Sequence, residues 1–204
     1  MTSVITGDIV NSRRLAPEKW LEPLKGLLSS WGNTPKSWEI TRGDNIQLEI
    51  AEPGNSLLAA IRIKALLRTI KGLDVRIAIG IGEKTYDAPN ISESNGPAFI
   101  NSGEKFETLK KIKQTLAVQS PWPDLDKELN LLISLASIVM DKWSPSSAEI
   151  IALSLQDREK PQIELAAQLA ITQSSVSERQ TRAHFSQIIE LETYYCQKIQ
   201  QKLA

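Results

Sequence analysis

Two aspartates in separate short contexts carry the chemistry this sequence could perform. Asp8 lies in Ile5-Thr6-Gly7-Asp8-Ile9-Val10-Asn11-Ser12-Arg13, and Asp44 in Arg42-Gly43-Asp44-Asn45. A strand predicted over residues 3–6 ends at the first word. A hairpin predicted between residues 38–40 and 46–50 has the second at its apex. If the two elements share a sheet, both carboxylates converge at its end. Two hard oxygen ligands that close suit Mg²⁺ and a nucleoside triphosphate. Arg13 and Arg42 stand beside them and could grip phosphate. Arg76, on a later strand, is placed equally well as a ligand contact or an internal ion-pair partner.

The surrounding pattern supplies elements to hold these words. Residues 16–31 set Trp20, Leu21, Leu24, Leu27, Leu28 and Trp31 on one helical stripe, with Pro17 in the first turn. Trp38, Ile40, Ile46, Leu48 and Ile50 alternate with period two. Asn55 or Ser56 can cap a helix running to Ile70, which Gly72 stops. In residues 73–82, Val75, Ile77, Ile79 and Ile81 face one way, while Gly80 and Gly82 imply close approach by a backbone or helix. The order strand, helix, hairpin, helix, strand predicts an α/β (α+β) domain with a ferredoxin-like or palm-like sheet and helices on one side.

Residues 85–96 read as loop, 103–113 as helix and 116–118 as an edge strand. Pro121 and Pro123 mark the best boundary, giving an α/β domain over 1–120 and an all-helical domain over 121–204. Helices are expected at 125–143, 146–155, 162–169 and from 173 to about 200. Ile163, Ala166, Ala167 and Leu169 would form the inner face of a short helix. Ala170-Ile171-Thr172 makes a tight corner, Thr172 caps the next helix, and Val176 points back. That is a helix-turn-helix. Gln173, Ser174, Ser175, Ser177, Glu178 and Arg179 then face outward to base edges or phosphates, with Arg182 adding charge.

Composition limits the alternatives. The chain has 204 residues, 24 basic and 24 acidic, which argues against a generally basic nucleic-acid coat. Residues 121–204 hold 8 basic against 11 acidic side chains, a net of −3, so DNA would be held by local patches. A single cysteine, Cys196, and a single histidine, His184, exclude disulfide scaffolds and zinc-type clusters. A metal would rest on carboxylates and backbone oxygens. No leader pattern and no membrane-length apolar run is present, so a cytoplasmic protein with no membrane partner is expected. A dimer would bring two reading helices to a palindromic site.

Together, the words around Asp8 and Asp44, Arg76-Ile77-Ala78-Ile79-Gly80-Ile81-Gly82, and Ser94-Asn95-Gly96-Pro97-Ala98-Phe99-Ile100-Asn101-Ser102-Gly103 resemble the SatD family over nearly the whole chain. More distantly, their order is similar to class III nucleotidyl cyclases and GGDEF-type palm domains. The second half resembles the helix-turn-helix of transcription regulators and sigma factors. The cyclase resemblance implies that Asp8, Asp44 and the carbonyl of Ile9 hold Mg²⁺. It also implies that Asn101 and Lys105 stand where cyclases use an asparagine and an arginine for transition-state stabilisation. Lysine lacks the bidentate fork of arginine, and Asn45 replaces the metal-binding glutamate of the GGDEF word.

Three functions follow from these residues. The first is a DNA-binding transcriptional regulator whose palm-like domain binds a nucleotide and Mg²⁺. The second is a metal-dependent nucleotidyl cyclase or another enzyme acting on nucleoside triphosphates. The third is a structural or protein-interaction module in which both aspartates serve ordinary turns.

Overall fold

A computed structural model describes all residues, Met1–Ala204. The first strand, β1 (Thr2–Val10), runs nine residues, well beyond the expected 3–6. Gly7 and Asp8 are poor strand formers, but β1 is central and is paired on both sides. Asp8 lies opposite Asn45 on one side and Arg76 on the other. Tertiary pairing overrides local propensity here, and Asp8 sits inside the strand.

Four more strands complete the sheet: β2 (Trp38–Thr41), β3 (Asn45–Ile50), β4 (Asp74–Gly82) and β5 (Leu116–Gln119). Their spatial order is β2-β3-β1-β4-β5. β1 is antiparallel to β3 and β4, and β5 is parallel to β4. Helices α1 (Leu21–Ser29) and α2 (Ser56–Arg68) fill the expected strand-helix-hairpin-helix-strand order. Pro17 opens a separate short turn, Pro17–Lys19, instead of α1 itself.

Alternation along β1 and β4 creates two faces. Ile5, Ile9, Val75, Ile77, Ile79 and Ile81 enter the main core with Leu57 and Ile61 of α2. Thr6, Ala78 and Gly80 turn to the other face, where α3 (Pro97–Ile112) lies. Helices therefore cover both faces, which corrects the one-sided expectation. The cause is visible in β4, where a Cβ on Gly80 would stand 2.2 Å from the Ala98 carbonyl and the Ser102 amide. α3 also starts earlier than residue 103. Pro97 fits the first helical turn, and Gly96 precedes it with a φ of 144°.

After β5 the chain is helical: α4 (Pro123–Met140), α5 (Pro145–Gln156), α6 (Gln162–Leu169), α7 (Gln173–Arg182) and α8 (Phe185–Leu203). The single helix expected from residue 173 to about 200 is broken at His184, whose φ is 54°. The carbonyl of Ala183 accepts the Trp143 indole N–H at 3.0 Å, which fixes the break. The mixed α/β region and the helical region share one apolar core running from Ile5 to Ile199. Polar ties reinforce it. Arg68 of α2 donates to the Trp143 carbonyl, and the hydroxyls of Ser56 and Tyr195 lie 2.7 Å apart. No helix is long and apolar enough to cross a membrane.

Candidate functional site

Asp8 and Arg76 are cross-strand neighbours, so their side chains leave the same face of the sheet. Arg76 Nε donates to Asp8 Oδ1 at 3.0 Å, and Arg76 Nη2 donates to Oδ2 at 2.8 Å. The two side chains are 28% and 19% exposed. A carboxylate with both oxygens on one guanidinium has its charge answered within the fold, though each oxygen keeps a second lone pair. Of the two roles open to Arg76 in the sequence, the structure displays the ion pair.

The hairpin turn reaches the same strand through its backbone. Arg42 and Gly43 hold φ values of 52° and 88°, and the Asp44 carbonyl accepts the Ile9 N–H at 3.1 Å. Ile9 turns its side chain into the core at 2% exposure. The Asp44 carboxylate has a different partner from that of Asp8, accepting the Ser12 hydroxyl at 2.8 Å. It lines a shallow cavity of about 250 Å³ with Ser12, Arg13, Leu15, Pro17, Trp20, Arg42 and Gly43. Arg13 and Arg42 are exposed, while Trp20 is buried with an indole nitrogen that has no hydrogen-bond partner.

The two aspartates are therefore neighbours by backbone, with carboxylates committed to different partners. No three His, Cys, Asp or Glu side chains gather into a metal-holding group. Ser12 and Trp20 complete the cavity beside the arginines. The sequence placed Trp20 on a core stripe, which its burial agrees with, and gave no signal for its second role as a cavity wall.

Asn101 and Lys105 stand elsewhere. Asn101 Nδ2 donates to the Ile81 carbonyl at 2.7 Å, and its Oδ1 accepts from Gln119 at 3.3 Å. Ile81 pairs with Ser3, five residues along β1 from Asp8, which is roughly 17 Å at strand spacing. The structure thus places this pair toward the opposite end of the sheet from Asp8 and Asp44. Lys105 acts on Asp126. Burial pushes that carboxyl up, against the Ser120 hydrogen bonds and the Lys105 charge.

In the helical region, α6 buries Leu165 and Ala166, while Ile163 is 64% exposed and Ala167 also faces out. This corrects the inner face expected for α6 at Ile163 and Ala167, while Ala166 is buried and Leu169 half-buried against the core as expected. A helix of eight residues has too few turns for its apolar period to fix its phase. The corner forms as read. Ala170 takes a φ of 52°, Thr172 Oγ1 accepts the Ser175 N–H at 3.1 Å, and Val176 is buried.

Gln173, Ser174, Ser177, Glu178 and Arg182 are exposed on α7, and Ser175 is half-buried. Arg179 differs from expectation. Its Nη1 donates to Glu149 Oε2 of α5 at 3.0 Å, and only 21% of its side chain is exposed. Gln180 is tied as well, donating to the Ser154 hydroxyl and accepting from Gln162. The side chains at residues 179 and 180 fasten α7 to its neighbours, leaving its N-terminal residues and Arg182 open to solvent.

The sequence model of the SatD family matches residues 3–196. No curated protein and no solved structure matches the chain significantly.

Proposed function

The chain belongs to the SatD family, and from that premise we propose a DNA-binding regulator whose α/β region takes an anionic, nucleotide-type effector. The observation that carries the DNA reading is α7. It follows a left-handed corner, is capped by Thr172, and offers Gln173, Ser174 and Ser177 to solvent with Arg182. Short uncharged donors and acceptors at a helix N-terminus suit base edges and phosphate oxygens. With a net of −3 over residues 121–204, few phosphates are neutralised and the dependence on salt is shallow.

The strand order β2-β3-β1-β4 and the position of Gly43-Asp44 support the palm-like reading of the first half. The effector binds the cavity beside Asp44, its phosphates held by Arg13 and Arg42, its apolar part against Leu15 and Trp20. Asp44 would be the carboxylate at hand for a Mg²⁺ carried on those phosphates, while the charge of Asp8 is already answered by Arg76. Coupling runs through Arg68, which holds both Asp74 of β4 and the Trp143 carbonyl, while the Trp143 indole holds Ala183 at the end of α7. Calorimetric titration with nucleoside triphosphates and Mg²⁺ tests the effector site. Binding that Arg13→Ala/Arg42→Ala abolishes is expected, and binding indifferent to both substitutions would place the ligand elsewhere.

A further inference from the structure

The outward face of α4 is apolar where a surface helix is ordinarily charged. Leu131, Leu135 and Ile138 are 61%, 55% and 58% exposed. Spacings of four and three residues put them in one stripe, the seam pattern of paired helices. Beside the stripe, between α4 and α8, runs a groove of about 670 Å³ walled by Leu132, Ala136, Val139, Ile188 and Leu191. A contiguous apolar surface of this kind marks an interaction site.

The charges at its ends specify what covers it. Glu128 and Lys142 are both exposed, and each lies seven residues from Leu135 in opposite directions. Glu128 shares its Oε1 with Tyr194 and Lys198 of the same chain, leaving Oε2 without a partner. Lys142, in the turn after α4, takes part in none of the ion pairs within the chain that hold Lys64, Lys84 and Lys110. By spacing along the chain, a two-fold axis at Leu135 brings the end of α4 that carries Glu128 in one copy to the turn that carries Lys142 in the other, twice. The same axis lays Leu131 beside Ile138 of the second copy. A parallel pairing would oppose like charges instead. The stripe is complementary to itself in one direction only.

We infer that a second copy of this chain covers the face, in an isologous dimer built on antiparallel α4 helices with their leucines in the α4–α8 grooves. The pairing stands whether or not α7 reads DNA.

Sedimentation equilibrium of the full chain at micromolar concentrations tests it. The expected mass is twice the 22.7 kDa of one chain. Leu135→Glu, at an exposed position, should keep the far-ultraviolet dichroism of the wild type and sediment as a monomer. Lys142→Glu and Glu128→Lys should each weaken association about tenfold or more, and the double exchange should restore it. A chain that stays monomeric overturns the inference, including one that instead captures an amphipathic helix from another protein. So does a dimer that survives Leu135→Glu. A dimer that the double exchange fails to restore overturns the antiparallel register, and the inference with it.

Discussion

Asp8 and Arg76 meet across β1 and β4 in a two-point contact, at 3.0 and 2.8 Å. The sequence offers them as separate candidates, one for a metal and one for a ligand, and the fold makes them partners. Arg76→Ala leaves a carboxylate that is 19% exposed without its counter-charge. Equilibrium denaturation should show a loss of about 1–3 kcal/mol. Asp8→Asn should cost less, because the longer arginine can turn toward water. A larger loss for Asp8→Asn than for Arg76→Ala would contradict this reading of the pair.

Two glycines make a paired test of backbone approach. At Gly80 an added Cβ meets the backbone of α3 at 2.2 Å, whereas at Gly26 in α1 nothing lies within 4 Å. Gly80→Ala must push α3 off the sheet and should cost about 3 kcal/mol or more. Gly26→Ala should stabilise by up to about 1 kcal/mol through helix propensity and the unfolded chain. Thermal unfolding of both variants decides the matter, and a tolerated Gly80→Ala would mean that α3 is not seated on β4.

The thiol of Cys196 is half-buried, and its pKa is raised by burial first and by Glu192 next. A raised pKa leaves less thiolate at any pH below it, and the thiolate is the nucleophile. Alkylation near pH 8 should be slower in the native protein than in the urea-unfolded chain, with the rate still climbing above pH 9. Equal native and unfolded rates would show the thiol to be open and unperturbed.

Arg179 and Arg182 share α7 yet should behave differently. Arg179→Ala removes the ion pair with Glu149, a partly exposed contact worth up to about 1 kcal/mol of stability. Arg182→Ala should leave stability unchanged while weakening DNA binding and lowering its salt slope by about one. Anisotropy titrations over a range of salt concentrations separate the two. Identical effects of both substitutions on DNA binding would argue against the assigned roles.

Much of the sheet is legible in the sequence because its signals are local. The period of two in Val75, Ile77, Ile79 and Ile81 gives β4 and its apolar face, and Gly80 announces the close neighbour found there. That the neighbour lies on the opposite face from α2 is not local. It depends on a chain segment about twenty residues later finding the glycine surface. The length of β1 is likewise fixed by its two partner strands. The candidate site was half legible. The turn at Gly43-Asp44 does reach Ile9, but the direction of each carboxylate depends on Ser12 and Arg76, and no spacing rule connects those partners. The phase of α6 and the break at His184 were illegible for a similar reason. The first is set by the packing of α6 on α7, the second by the Trp143 indole.

Regulation requires communication between the cavity beside Asp44 and the open residues of α7. The most direct measurement is the affinity for duplex DNA at low salt, with and without a nucleoside triphosphate and Mg²⁺. Binding should occur, should change with the nucleotide, and should stop responding to it in Arg13→Ala/Arg42→Ala. Absence of DNA binding at low salt in every ligand state would contradict the account.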